Sequence, residues 1–292
     1  MSAVPASVIH PGNRLYRARK RANAVLLGVS FLALLFGLFW LVWILGTLLY
    51  EGGSALARTS FYYQMTPPPG LDGGLANAMA GSAFIVLVGT LLGTPVGILA
   101  GTWLAEFGRR SWLASATRFL NDVLLSAPSI LVGLFVYELM VRPMKGFSGL
   151  AGSLALALLA IPVIVRTTED VLRLQPISLR EASIALGAPV WRTILAVIWK
   201  SAQGGMLTGA LLAFARISGE TAPLLFTALN NQFLSLNLAK PTANLPVVIF
   251  QFALSAYDDW RRLAWAGALL IAGAVLTVTV IARITTREPK RS

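Results

Sequence analysis

The sequence predicts an all-α, polytopic membrane protein with six transmembrane helices and both termini in the cytoplasm. Three observations predict it. The 292 residues are 56% hydrophobic and only 12% charged, about half the roughly 25% charge of a soluble domain. The missing charge leaves uncharged runs at 22–50, 73–105, 146–165 and 263–282, each meeting the roughly 18–20 residues needed to cross a bilayer. The basic residues then sort to one side. Arg14, Arg17, Arg19, Lys20 and Arg21, then Arg109, Arg110 and Arg118, then Arg166, Arg173, Arg180, Arg192 and Lys200, and finally Arg283, Arg287, Lys290 and Arg291 share the cytoplasmic face. The other face keeps only Arg58, Arg142, Lys145, Lys240, Arg261 and Arg262.

The elements follow in order. Residues 1–23 read as a basic cytoplasmic tail, and 24–50 as the first transmembrane helix, peripheral and facing lipid. Its apolar run is too long for a signal peptide, so it reads as an uncleaved anchor. Residues 51–74 form an outer loop stiffened by Pro67, Pro68 and Pro69. The second span carries Gly89, Gly93, Gly97 and Gly101 at a spacing of four. This face lets a neighbouring backbone approach closely and points to helix packing rather than pore lining. Thr94-Pro95 adds a kink. A third, weaker span at 121–141 contains Ser126-Ala127-Pro128-Ser129, which either distorts the backbone to offer polar groups to a cavity or is structural. The fourth span ends near Pro162 and runs into a solvated extension, Arg166 to Asp170. The fifth, at 201–228, carries Arg216 and Glu220 inside it. The apolar stretch 245–257 is short and reads as an interfacial helix at the outer mouth. The sixth span lies at 263–282, and 286–292 is a cytoplasmic tail. The packed core therefore runs over 75–285.

Between spans four and five lies a polar stretch with start and stop signals for a small helix. Ser178 with Glu181 three residues on is a capping-box pattern. Gly187 supplies a residue tolerant of positive φ, and Pro189 stops one helix and opens another. Residues 177–195 thus predict helix, glycine bend, helix, held at the cytoplasmic surface in a shape suited to docking into another protein.

Arg216 and Glu220, four apart, predict an i,i+4 pair. An ionisable residue inside a membrane is a functional-site candidate by default, and an arginine fork suits an oxyanion such as phosphate. Ser218 and Thr221 lie beside the pair, and Ser126 and Ser129 are further candidates for a polar pathway. Other chemistry is poorly supplied. There is no cysteine and one histidine, His10, in the tail, so disulfide, thiolate-metal and nucleophile constellations are excluded or nearly so. No lysine follows a glycine, so a Walker A loop is absent and any nucleotide must bind another chain. The net charge of +12 is spread along loop edges facing anionic headgroups, without an aromatic-basic platform, which argues against nucleic acid. The chain reads as a translocation subunit and not an enzyme, with no bound cofactor of its own.

Glu181-Ala182-Ser183, three residues, then Gly187 resembles the EAA motif of permeases in bacterial ABC importers. Together with Leu207-Thr208-Gly209 and Ala215 to Leu225, including Gly219-Glu220-Thr221-Ala222-Pro223, the chain is similar to the phosphate-specific, PstA-type permeases over about 75–285. Lys200 and Gly204 stand where such proteins usually carry prolines. The resemblance implies the type I importer permease fold in the cell inner membrane. It also implies a second, PstC-type permease, two ATP-binding subunits carrying ATP and Mg, and an external phosphate-binding protein. On it, Glu181, Ala182, Ser183 and Gly187 belong to the helix that fits the ATPase. A permease for molybdate or sulfate is the nearest alternative. An ion-driven secondary transporter predicts an internal inverted repeat, and none is visible. A membrane scaffold has no need of Arg216 in lipid.

Overall fold

A computed structural model describes residues 14–108, 111–235 and 237–285. His10, Arg109, Arg110 and the tails 1–13 and 286–292 lie outside the described residues. Within them every regular element is helical. Contacts divide the chain into two units, one ending at Tyr50 and one starting at Glu51.

The helix α1 (Arg14–Leu56) makes up the first unit's described part and continues into the second. It starts inside the stretch read as a tail, because Arg, Lys, Leu and Ala there are good helix formers with no proline or glycine to stop them. Its side chains from Val25 to Leu45 are exposed apolar groups such as Leu32, Phe36 and Val42, the composition of a lipid-facing rod.

In the second unit, α2 (Ser60–Tyr63) is one turn of the outer loop. α3 (Ala76–Glu106) is followed by α4 (Trp112–Ser126), α5 (Ser129–Val136), a π turn at Tyr137–Val141 and α6 (Arg142–Met144). The long helix α7 (Gly149–Arg173) leads to α8 (Ile177–Ala185) and α9 (Val190–Arg192). After a second π turn at Thr193–Ile198 come α10 (Trp199–Ile217), α11 (Ala222–Thr227), α12 (Leu245–Ala253) and α13 (Asp258–Thr285).

The core is α3 against α7. The glycine face is where the two meet: a Cβ on Gly97 would lie 2.7 Å from Ile164 Cβ, and one on Gly101 2.7 Å from both Val165 O and Thr168 Cβ. Such distances are possible only without side chains, so the spacing of four sets the interface. α10 uses the same device, with Gly205 against Val171 and Gly209 against Thr167. Ile85, Leu156, Ile164, Ala213, Ile217 and Leu224 fill the space between.

Four helices, α1, α3, α7 and α13, are long and apolar enough to cross a bilayer, and α4 with α5 and its continuation adds a fifth crossing if that bent pair is one span. The third span is therefore not one straight helix at 121–141. It starts at Trp112 and bends by 105° at Ala127-Pro128, where both residues are extended and proline withholds a backbone donor. The two halves nonetheless climb α7 from end to end. Arg118 Nε donates to Glu169 Oε1 at 2.8 Å and Asn121 Nδ2 to Pro162 O at 3.2 Å, while Val136 and Val141 pack on Ala151 and Ala155.

The fifth predicted span is also shifted. It runs helical from 190 to 217, about 40 Å at 1.5 Å per residue, with the π turn inside it. Lys200, Gln203 and Arg216 interrupt its apolar run. α7 passes straight through Pro162, and the extension read as solvated is in part buried. Thr168 and Glu169 are 0% and 3% exposed, because Glu169 lies between Arg118 at 2.8 Å and Arg173 at 2.6 Å. α12, at Leu245–Ala253, is shorter than a span, as expected for 245–257. Its N-cap Asn244 accepts from Val247 N at 3.1 Å. Asn77 bonds Thr66 and Asn231 O.

Candidate functional site

Two polar constructions stand out, one at α8–α9 and one at the break after α10.

The first is the knob α8–α9. The helix begins one residue before Ser178, with Pro176 as N-cap, and no side chain caps it. The expected Ser178–Glu181 box is therefore not formed: proline already fixes the φ of the cap position, which places Ser178 inside the first turn. The far end matches the expectation. Gly187 has φ +80°, Gly187 N donates to Ile184 O at 2.9 Å, and Ala188 N to Ser183 O at 3.2 Å. This is a Schellman motif, which turns the chain sharply and satisfies the orphan carbonyls. Ser183 Oγ lies 2.8 Å from Thr193 Oγ1, tying α8 to the π turn. Glu181, Ala182 and Gly187 are exposed.

Sequence reasoning missed two features of the knob. Leu186 and Trp191 are 89% and 64% exposed, large apolar groups on a projecting turn beside the polar face of α8. An apolar residue directly before the glycine and a tryptophan two residues after the proline were the available signal. The other is Arg180, whose Nε and Nη2 grip both carboxylate oxygens of Glu106 at 3.0 and 2.5 Å. The hydrogen bond that Arg180 donates to Glu106 raises the Arg180 pKa above its ordinary value, against partial burial and with the carboxylate's charge assisting. The two lie 74 residues apart, so no local pattern announces the pair.

The second construction is the break after α10. Ser218 caps it, its Oγ donating to Phe214 O at 2.6 Å, and Gly219-Glu220 leave the helix before α11 opens with Pro223 in its first turn. Arg216 and Glu220 are not paired, by ion pair or hydrogen bond. The i,i+4 geometry needs a helix that continues, and this one stops at Ile217 because serine and glycine favour a terminus and Pro223 cannot be reached helically. Arg216 sits in the last helical turn, where the helix dipole favours a cation, and is exposed; Glu220 is half-buried.

A second break faces this one. Ser126 ends α4 with its Oγ donating to Val123 O at 3.0 Å, and Ser129 begins α5. One turn on, Gly133 lies against α11: a Cβ there would be 2.6 Å from Pro223 Cα. The starts of α5 and α11 are thereby brought to one region, Ser129 on one and Thr221 on the other. Ser218 also borders a cleft of about 310 Å³ with Met79, Ser82, Phe214, Leu270 and Val278. Its walls are mostly apolar and include neither Arg216 nor Glu220.

The chain's similarities are consistent with these features. Residues 93–288 match the profile of a family described as "Binding-protein-dependent transport system inner membrane component". A relative from Pasteurella multocida, named phosphate transport system permease protein PstA, is 56% identical over 272 residues, which is 93% of this chain and 97% of the relative. Among solved structures, a bacterial alginate ABC transporter chain superposes with a TM-score of 0.66 at 12% identity, over 94% of this chain and 98% of that one. A chain of the MetNI methionine ABC transporter gives 0.58 at 17%, over 72% and 95%.

Proposed function

The chain belongs to the family of binding-protein-dependent transport system inner membrane components, and from that premise we propose how it works. It is the permease subunit of an ATP-driven phosphate importer in the inner membrane, a translocation subunit rather than an enzyme. The observation that carries the mechanism is the docking knob: a cytoplasmic helix closed by the Gly187 bend and left exposed at Glu181, Ala182, Leu186 and Trp191.

Glu181, Ala182, Ser183 and Gly187 form the face received by an ATPase, and ATP with Mg is held there, on the partner. Movement of the ATPase pair displaces the knob and shifts the permease between two arrangements, a change in population driven by nucleotide state. A PstC-type permease completes the pathway, two ATPase copies drive it, and a phosphate-binding protein delivers substrate to the outer face. Helix 190–217 is the fifth crossing in chain order and brings the total to six, and both termini lie in the cytoplasm.

Arg216 contacts phosphate or gates its path. Its support is chemical: an exposed guanidinium with no ion partner among the described residues, at a helix break, with Ser218 and Thr221 nearby in the chain. Ser126 and Glu220 contribute polar lining, and Glu220 is not the residue that holds Arg216. The test is labelled-phosphate uptake in cells lacking this gene, complemented with wild type or Arg216→Ala at matched membrane levels. Wild type restores uptake and the variant does not. Full uptake with Arg216→Ala removes Arg216 from the pathway, and failure of wild type removes phosphate.

A further inference from the structure

α8 has no buried side chain. Only Leu179 reaches the apolar cluster of Ala105, Leu172 and Ile198 beneath it. Apolar packing therefore does little to fix a helix that must transmit force. Arg180 supplies the missing connection. Besides its fork on Glu106, the last residue of α3, its Nη2 donates to Leu172 O at 3.0 Å and its Nη1 to Gln175 O at 3.0 Å. One side chain thus closes the carbonyl end of α7 and grips the end of α3. The Arg180 and Glu106 side chains are 17% and 11% exposed, so solvent screens this pair less than a surface pair, and bidentate geometry resists rotation as well as separation.

The connection of α8 to helix 190–217 is of another kind. It passes through the Gly187 bend, where nothing lies within 4 Å of a Cβ position, and through Ser183 Oγ, 2.8 Å from Thr193 Oγ1 in the π turn, a contact of two neutral hydroxyls against the charged fork on Glu106. α3 and α7 are locked to each other by their glycine contacts.

We propose that the Arg180–Glu106 ion pair is the clamp that makes the docking helix move as one body with the cytoplasmic ends of α3 and α7, so that ATPase motion reaches the α3–α7 pair first. Arg180 and Glu106 are positioning residues; neither touches substrate. The inference rests on the reading of the knob as the ATPase dock.

The chain has no cysteine, which permits a test on a single polypeptide. Glu106→Cys with Arg180→Cys is reconstituted with the partner subunits and phosphate-binding protein in liposomes. Phosphate imported and ATP hydrolysed are measured before and after bridging the two thiols with a bifunctional maleimide, and Glu106→Gln is measured alongside. The expected result is that Glu106→Gln and the unbridged double variant still hydrolyse ATP while phosphate moved per ATP falls about tenfold, within the usual range of coupling between sites. Bridging restores the ratio. A merely structural role lowers transport and hydrolysis together and leaves the ratio alone. An unchanged ratio in Glu106→Gln, or no recovery on bridging, overturns the clamp. A wild-type complex whose uptake ignores ATP overturns the docking reading itself.

Discussion

Gly101→Ala is the sharpest test of how the body of the protein is held together. An added Cβ would sit 2.7 Å from Val165 O and 2.7 Å from Thr168 Cβ, where carbon contacts are most favourable at about 3.5–4.0 Å. The shortfall is about 1 Å, and one neighbour is backbone, which cannot rotate away. α3 and α7 must separate, and a gap of roughly 0.5–1 Å forfeits about a quarter to a half of each contact's attraction. Overpacking of this kind costs about 1–3 kcal/mol, and alanine returns about 1 kcal/mol of helix propensity; with backbone as one of the two neighbours the cost falls toward the upper end, so the net loss approaches about 2 kcal/mol. Gly93→Ala is the matched control. Its Cβ meets Ala157 O at 3.2 Å and Ala160 Cβ at 3.3 Å, a mismatch of a few tenths of an ångström that propensity offsets. Gly28→Ala in α1, with nothing within 4 Å, collects the propensity alone. Thermal unfolding of the purified protein in detergent, followed by tryptophan fluorescence, should rank Gly28→Ala at or above wild type, Gly93→Ala near it, and Gly101→Ala clearly below. A Gly101→Ala midpoint equal to that of Gly93→Ala refutes the close-approach argument.

Three further outcomes are expected. Gly187→Val forces a β-branched residue to φ +80°, at a cost of about 1–3 kcal/mol, and should reduce co-purification of the ATPase, with Gly187→Asn milder; undiminished recovery contradicts the bend. Glu169→Ala removes the carboxylate that Arg118 and Arg173 share; because both arginines keep access to solvent, the loss should be about 1–2 kcal/mol, read as lost folded yield in membranes; wild-type yield contradicts that. The hydrogen bond from Arg261, then its charge, with Arg262 adding, holds the Asp258 carboxyl below its ordinary value. Its contribution is complete above the unfolded value near about 4 and is lost as pH falls through the lower folded one. Carbon NMR of Asp258 should show a midpoint below the ordinary carboxylate value, and one at or above that value removes the pair.

What was legible in the sequence was whatever depends on local chemistry. Glycines spaced by four can only be an interface, and they are one. Gly187 before Ala188-Pro189 had to bend, and it does. The uncharged runs marked α1, α3, α7 and α13. What was not legible depends on where helices stop or on residues far apart. The Arg216–Glu220 pairing assumed a helix through 220, yet Ser218-Gly219 ends it. Ser178 looked like a cap until Pro176 took that place. The proline after Ser126 announced a distortion but not its 105° size, which the packing of both halves along α7 sets. Glu169 read as part of a solvated extension and Glu106 drew no reading, and only the fold brings Arg118 and Arg180 to them.

The central claim is ATP-driven phosphate import through this subunit. It is tested most directly by reconstituting the complex, with and without its phosphate-binding protein, in liposomes. ATP hydrolysis and uptake of labelled phosphate, sulfate and molybdate are then followed in the same vesicles. The account predicts uptake of phosphate alone, requiring both ATP and the binding protein, with phosphate-loaded binding protein stimulating hydrolysis. Uptake of sulfate or molybdate in preference to phosphate, or phosphate uptake driven by an ion gradient without ATP, contradicts it.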